Sequence, residues 1–228
     1  MDNRQAQLLT LLIENYINTA EPVGSRFLVH NAELNWSEAT VRNELRWLEE
    51  AGFLTHPHTS AGRVPTAQGY RYYIEGLDFD SLQLPKKESA ELEKIFQTER
   101  DWEAACKLLA KAMVGFSEEM VLLAFSPEKV YYTGLANLFQ KPDFGEQSIL
   151  VDVSAAFDAL EEVLPDFFDL VGAAPKYFLG GEHPFGDMLT VLSTRFGKAD
   201  QSLIAIVGPQ RMDYKYNWDL MRKVVELI

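Results

Sequence analysis

Residues 37–74 constrain the fold of this chain more than any other stretch. Val41, Leu45 and Leu48 recur at the i, i+4, i+7 spacing of one helical face, which predicts an amphipathic helix with a buried apolar side. Gly52 follows at the position where a left-handed residue commonly ends a helix. The segment therefore predicts a well-delimited helix that must pack against other apolar elements.

The start of this helix has two candidate caps. Ser37 can accept a hydrogen bond from a first-turn N–H, and Asn35 is the alternative, with Glu38 three residues later. Residues 53–56 then predict a first strand, and the aromatic residues 70–73 a second strand, around a turn rich in Gly and Pro. A helix followed by such a hairpin is typical of a winged helix.

Two shorter helical segments precede this helix. Residues 3–19 repeat apolar side chains at helical spacing, and residues 24–31 predict a short second helix with Phe27 and Leu28 directed inward. Three such helices form a helix-turn-helix, which the hairpin would extend into a winged helix-turn-helix domain over residues 1–76.

The polar face of the central helix carries groups that suit a nucleic acid. Ala39, Arg42, Asn43 and Arg46 lie opposite the apolar face. Arginine can reach phosphates or guanine edges, asparagine can pair with adenine, and a small alanine permits close approach. This face favours DNA binding, although a solvated helix surface or a protein-binding winged helix would show the same pattern.

The charge of the chain is unevenly distributed. The net charge is −13, the wrong sign for a general nucleic-acid binder. Residues 1–76 hold six basic and nine acidic residues, a net of −3, which leaves −10 for the rest. Residues 51–74 contain no Asp or Glu. An acid-free hairpin beside an arginine-bearing helix suits an anionic partner, and binding through so few arginines would weaken with added salt.

The hairpin offers further candidate contacts. Arg63, next to Gly62, is predicted at its tip, where it would enter a minor groove or touch the DNA backbone. His56 and His58 have the spacing of metal ligands, but no Cys or acid lies nearby in the sequence. We therefore expect these histidines to shape the turn or to contact phosphate.

Residues 77–120 are predicted to form a linker and then a helical segment that is interrupted near residues 98–101. Its apolar stripe would form a dimer contact or pack on the C-terminal domain, and the pattern fits both. Cys106 is the lone cysteine, which excludes an internal disulfide and a cysteine-rich zinc site.

Residues 121–228 predict an α+β sheet domain. Short apolar segments bounded by turn residues predict strands, and longer amphipathic segments predict helices. The predicted strands are residues 121–125, 130–133, 148–153, 177–179, 189–193 and 202–207. The predicted helices are residues 155–168 and 217–228.

Several longer strings resemble the HrcA family of heat-inducible transcription repressors. They are EPVGSRFL (21–28), SEATVRNELRWLEEAGFL (37–54), PHTSAGRVPT (57–66), GYRYYIEGL (69–77), GLANLFQKPDF (134–144), GEHPF (181–185) and GPQRMDY (208–214). PHTSAGRVPT is highly specific, and the strings follow the family's order. The resemblance implies a winged helix followed by a GAF-like domain. The middle region is shorter than is typical of the family, which leaves the dimer geometry open.

The resemblance also implies a function. A family member would bind an inverted-repeat operator upstream of chaperone operons as a homodimer, and heat would relieve the repression. The chaperonin would help to keep the repressor active, and the protein would act in the bacterial cytoplasm. Together with the residue chemistry, the resemblance identifies candidate DNA contacts: Ser25, Ser37, Ala39, Thr40, Arg42, Asn43, Arg46, His58, Thr59, Ser60, Arg63 and Arg71.

A ligand-sensing winged-helix regulator, whose GAF-like domain binds a small effector, is the alternative function. No cofactor, metal site or enzymatic activity is predicted. Residues 208–214 follow a strand and precede a helix, as an anion-binding loop would, but they lack the Gly-Lys-Ser/Thr of a P-loop. Glu182 and His183 have no nucleophile positioned beside them. The polar N-terminus and the lack of a long apolar run predict no membrane span.

Overall fold

The computed structural model describes residues 1–31, 36–57, 62–81, 83–198 and 201–228. These residues form two compact units, Met1–Leu77 and Asp78–Ile228. The first combines helices with a small β-hairpin, and the second is an antiparallel sheet with helices. The predicted α+β fold class is therefore confirmed. None of the described helices is long and apolar enough to cross a bilayer.

The described residues of the first unit form four helices and a small two-stranded hairpin. Its helices are α1 (Asn3–Thr19), α2 (Ser25–Asn31), α3 (Glu38–Glu50) and α4 (Ala67–Glu75), and its strands are β1 (Leu54–Thr55) and β2 (Val64–Pro65). The two strands pair antiparallel.

One face of each of the first three helices contributes to the core of the first unit. α1 begins with a capping box in which Asp2 and Gln5 exchange two hydrogen bonds of 2.9 Å. Phe27 is 40% exposed, contrary to the prediction, because its neighbour Leu28 takes the inward position of the short α2. Each fully buried leucine contributes about 1.5–3 kcal/mol. The buried apolar side chains of these three helices are Leu8, Leu9, Leu12, Ile13, Leu28, Val41, Leu45 and Leu48.

The aromatic residues 70–73 are helical, and the prediction of a second strand there was wrong. The Thr66 hydroxyl caps α4 by accepting a first-turn N–H at 3.1 Å. Tyr70, Tyr73 and Ile74 are buried at the i, i+3, i+4 spacing of a helical face. Tyrosine favours strands because it packs well on a pleated surface, but here the tyrosines pack from a helix.

The second unit is built from a sheet and the helices around it. Its strands are β3 (Met120–Ser126), β4 (Lys129–Thr133), β5 (Lys176–Leu179), β6 (Leu189–Phe196) and β7 (Ser202–Pro209). Its helices are α5 (Lys86–Thr98), α6 (Trp102–Ser117), α7 (Leu135–Gln140), α8 (Gln147–Asp158), α9 (Leu160–Leu170) and α10 (Tyr214–Leu227). Within the described residues the strands form one antiparallel sheet in the order β4-β3-β7-β6-β5.

Both faces of the sheet are covered. Side chains alternate along β3, so that Met120, Leu122 and Ala124 join the core that α8 and α9 close. Val121 and Leu123 are equally buried and point to the opposite face, where α6 packs on β3 and α10 on β6. A strand buried on both faces appears as a continuous apolar run, which is why β3, β6 and β7 agree with the prediction.

α8 corrects a second prediction, because residues 148–153 are helical rather than a strand. Val153 and Phe157 are buried at i, i+4, whereas Val151 is 59% exposed. Periodicity alone does not distinguish a short apolar run in a strand from one in a helix. The helix predicted for residues 155–168 is divided between the end of α8 and α9.

α5 and α6 follow the predicted helical pattern, with a break at residues 99–101. Leu109 and Met113 of the apolar stripe are fully buried within the second unit. Trp102 and Leu108 remain 39% and 41% exposed. Much of the stripe therefore packs inside its own unit.

Candidate nucleic-acid interface

α3 has a capped start, a fully buried inner face and a glycine just after its end, and these features fix the positions of its exposed side chains. The Ser37 hydroxyl accepts the N–H of Thr40 at 3.1 Å, so Ser37 caps the helix as predicted, and Asn35 lies outside the described residues. The three apolar residues of the inner face are fully buried. Gly52, just after the helix, has a φ of +84°, in the left-handed region that favours glycine.

The outer face of α3 is open to solvent. Ala39, Arg42, Asn43 and Arg46 are exposed, as predicted. Trp47 is 38% exposed and was not among the predicted contacts. Its position four residues after Asn43 places it on the same face, so the helical spacing could have identified it.

Two hydroxyl groups meet at the start of this face. Ser37 is exposed, Thr40 is half-buried, and their side-chain oxygens are 2.9 Å apart. Ser37 is the N-cap and Thr40 lies in the first turn of α3, where hydroxyl groups can donate hydrogen bonds to the phosphate oxygens of a nucleic-acid backbone.

Glu38 connects two further predicted contacts. Its Oε1 accepts a hydrogen bond from Nη2 of Arg42 at 2.7 Å and from the Ser25 hydroxyl at 3.5 Å. The side chains of Arg42 and Glu38 are 60% and 37% exposed, and ion pairs this open contribute up to about 1 kcal/mol. A phosphate or a guanine can therefore replace the carboxylate as the partner of Arg42 at little cost.

Arg63 does not lie at the tip of the hairpin, and that prediction was wrong. Its backbone pairs with Val23 through two hydrogen bonds of 2.9 Å, and its Nε lies 3.3 Å from Oε2 of Glu49. Its side chain is only 14% exposed. The partner carboxylate is fourteen residues away in the sequence, so local patterns could not reveal the pair.

The same carboxylate also binds His56. Nε2 of His56 lies 3.2 Å from Oε2 of Glu49, and Nδ1 lies 3.2 Å from the carbonyl oxygen of Gly62. His56 follows β1 and Arg63 precedes β2, so Glu49 joins both sides of the hairpin to the last turn of α3. We call Glu49, His56 and Arg63 the Glu49 cluster. Its geometry agrees with the expectation that His56 shapes the turn.

The remaining predicted contacts have different positions. Arg71 is half-buried and lies on α4. It therefore belongs to a helix rather than to the second strand that was predicted there. His58, Thr59 and Ser60 lie outside the described residues.

Two ion pairs of the second unit are directed inward. Nζ of Lys141 lies 2.6 Å from Oε1 of Glu119, and Nη2 of Arg211 lies 2.7 Å from Oδ2 of Asp143. All four side chains are less than 20% exposed. Burial raises the pKa of Glu119 to about 7, although Lys141 acts in the opposite direction. Arg211 thus serves an internal ion pair.

Glu182 and His183 also have structural contacts. Glu182 accepts the N–H of Leu179 at 3.0 Å, and Nε2 of His183 lies 3.0 Å from the carbonyl oxygen of Leu189. Burial lowers the pKa of His183, which favours the neutral ring. In the part of the chain that the structure describes, no group of three or more His, Cys, Asp and Glu side chains could hold a metal ion.

Comparison with known proteins agrees with this architecture. The solved crystal structure of a hypothetical protein superposes with a TM-score of 0.75 and 18% sequence identity. The match covers 99% of this chain and 97% of that one. At this identity the similarity shows a shared fold.

Three curated relatives are each named heat-inducible transcription repressor HrcA. The protein of Acetivibrio thermocellus is 47% identical over 96 residues, which are 42% of this chain and 25% of the relative. That of Desulforamulus reducens is 54% identical over 77 residues, 34% of this chain and 22% of the relative. That of Brevibacillus brevis is 39% identical over 115 residues, 49% of this chain and 34% of the relative.

The matches thus span about a quarter to a third of the length of these relatives. The relatives carry the name of a repressor rather than of an enzyme, as the sequence analysis predicted. The family model described as the HrcA protein C-terminal domain matches residues 78–216, more than half of the chain. With that match across the second unit, the chain belongs to the HrcA family.

Proposed function

We propose that this protein is a DNA-binding repressor of chaperone genes, which binds an inverted-repeat operator as a homodimer and is released on heat stress. The exposed face of α3 is the observation that carries the proposal. Its arginines and its asparagine are the side chains that read guanine and adenine edges. They are open to solvent on a helix whose opposite face is fully buried.

α3 would lie in the major groove, with its N-terminal half nearest the bases. Arg42 and Asn43 would then reach base edges, and Ala39 would let the helix approach closely. Arg46, one turn later, would contact phosphate. The weak pair between Arg42 and Glu38 would be exchanged for contacts with DNA.

The remaining candidate residues would meet the DNA backbone. The hydroxyl groups of Ser25, Ser37 and Thr40 lie at the start of α2 or α3, where they would contact phosphates. Residues 58–60 of the hairpin would reach the adjacent backbone or minor groove. Arg63 and Arg71 would add positive charge beside them.

A homodimer follows from the size of the reading surface. One α3 covers a short half-site, and two copies related by a two-fold axis match an inverted repeat. The names of the relatives support control by heat, and the family resemblance supports a role for the chaperonin in the bacterial cytoplasm. Unfolding of a marginally stable regulator on heating would release the DNA without a ligand.

The test is fluorescence anisotropy with the full chain and a labelled duplex that carries the inverted repeat upstream of the host's chaperone genes. We expect saturable binding that weakens when one half-site is scrambled and when salt is added. The proposal would be overturned if the wild-type protein did not bind the duplex at low ionic strength.

Arg42→Ala tests the reading surface itself. The variant lacks the contact of Arg42 with a base, so operator binding should weaken by about 1–3 kcal/mol. The protein should also discriminate less between bases at one base pair of each half-site. Arg100→Ala is the matched control, because Arg100 is an exposed arginine of the second unit, and it should bind as the wild type does. Equal binding by Arg42→Ala and Arg100→Ala would contradict the proposed docking of α3.

A further inference from the structure

Trp47 differs from the other tryptophans of the chain in having no partner for its ring. The other three each contact an aromatic ring or a cation of their own protein at 4.1–5.7 Å: Trp36 with Arg4, Trp102 with Phe125, and Trp218 with Phe79. Trp47 is 38% exposed, and its indole has neither a ring contact nor a hydrogen-bond partner among the residues that the structure describes. The indole is therefore available to an external partner.

The position of this indole on α3 places it beside Asn43. Trp47 follows Asn43 by four residues, so the two side chains are neighbours on successive turns of the helix. Side chains of a helix tilt toward its N-terminus, and the indole is therefore expected to lie over the turn that carries Asn43. Both side chains are exposed, so a groove edge that reaches Asn43 also reaches the indole.

The chemistry of the indole selects one base. It combines an apolar ring with one N–H donor, and it has no hydrogen-bond acceptor. In the major groove, thymine presents a methyl group and the O4 acceptor. Cytosine presents an amino donor, which would face the indole N–H, and neither purine has a methyl group. Thymine is therefore the base whose groove edge fits both parts of this side chain.

We propose that Trp47 is a specificity-determining residue, which recognises the methyl group of one thymine in each half-site of the operator. The inference rests on the proposed function, in which α3 lies in the major groove. Four residues advance about 6 Å along a helix, and successive base pairs are about 3.4 Å apart. The thymine should therefore lie about one or two base pairs from the adenine that Asn43 would read.

The experiment replaces each thymine of the half-site in turn by deoxyuridine, which lacks the methyl group and keeps O4. Each replacement is made in both half-sites, and anisotropy measures the affinity of the full chain at constant pH and salt. The wild type should lose affinity at the thymine that Trp47 contacts. The loss should be about fourfold for each half-site, as expected when one methyl group is no longer buried.

Trp47→Ala tests whether the indole causes this loss. The variant should bind the natural duplex more weakly than the wild type does, and it should bind the natural and the substituted duplex with equal affinity. Trp47→Phe keeps an apolar ring without the N–H, so it should retain part of the sensitivity to the methyl group. Leu170→Ala is the matched control, because Leu170 is an apolar residue at the end of α9 that is 58% exposed, and it should keep the wild-type response.

Melting temperatures identify any variant that fails to fold, and the deoxyuridine series with the wild type needs no variant. The inference is overturned if the wild type binds the duplex but no thymine methyl group changes its affinity. It is also overturned if folded Trp47→Ala responds to every replacement as the wild type does. In both cases the proposed function stands, whereas a wild type that binds no duplex overturns both.

Discussion

The exposed ion pair on α3 and two buried ion pairs of the second unit use charged side chains in opposite ways. In the first unit, Arg42 and its partner Glu38 are 60% and 37% exposed. In the second, Lys141 and Arg211 are 18% and 13% exposed in their pairs with Glu119 and Asp143. An exposed pair can change partners at little cost, whereas a buried pair that loses one member leaves an uncompensated charge. The first arrangement suits a surface that binds an anion, and the second suits a structural role.

The difference shows why a basic residue in a family-like string is not by itself a binding residue. Residues 134–144 and 208–214 each contain one basic side chain near turns, and the second string has the topology of an anion-binding loop. In the structure their cations bind buried carboxylates. Burial, rather than charge count, separates the two roles.

Arg211→Ala should have the largest effect on stability. It leaves Asp143, whose side chain is 14% exposed, without its guanidinium, and breaking such a buried pair costs about 3–5 kcal/mol. Urea unfolding with hydrogen exchange at the amides of β3 and β7 measures this in the second unit. Lys129→Ala is the control, because its pair with Glu103 is exposed, and it should cost less than about 1 kcal/mol. Equal losses in the two variants would remove the distinction between buried and exposed ion pairs.

Glu119→Gln should alter how stability depends on pH. Burial raises the pKa of Glu119 to about 7 from an ordinary 4.5, so between these values the folded unit binds a proton that the unfolded chain has released. This contribution is complete below about pH 4.5 and is lost as pH rises through 7, a decrease of about 1–3 kcal/mol.

The Gln variant should show a flatter profile of unfolding free energy between about pH 5 and 8, since Gln does not titrate in this range. Glu103→Gln, at an exposed pair, should keep the slope of the wild type. A slope that survives in Glu119→Gln would show that other groups cause it.

Arg42→Ala should have the smallest effect on folding. Its exposed pair with Glu38 predicts a change of up to about 0.5 kcal/mol in unfolding free energy, whereas the proposed function predicts that the same substitution weakens operator binding. Calorimetric melting of the free protein measures this. A large loss of stability would mean that the pair is structural, as we expect for the buried pair of Arg211 and Asp143.

The sequence predicted best where one periodicity dominated. The cap of α3 was predicted from the Ser37 hydroxyl, and both of its faces from apolar residues at helical spacing. Strands β3, β6 and β7 were predicted from continuous apolar segments, because both sides of these strands are buried. It failed where two patterns competed, as in the tyrosines of α4 and the short apolar run of α8. The position of Arg63 depends on Val23 and Glu49, which are remote in the sequence, so no local pattern could place it.

The most direct test compares the salt dependence of duplex binding by Arg46→Ala and Arg100→Ala. Both are exposed arginines, one on α3 and one in the second unit. Arg46→Ala should reduce the slope of log K against log salt by roughly 0.9 for each phosphate that the protein no longer neutralises, and Arg100→Ala should leave it unchanged. An unchanged slope in Arg46→Ala, or a reduced one in Arg100→Ala, would contradict the assignment of DNA binding to the exposed face of α3.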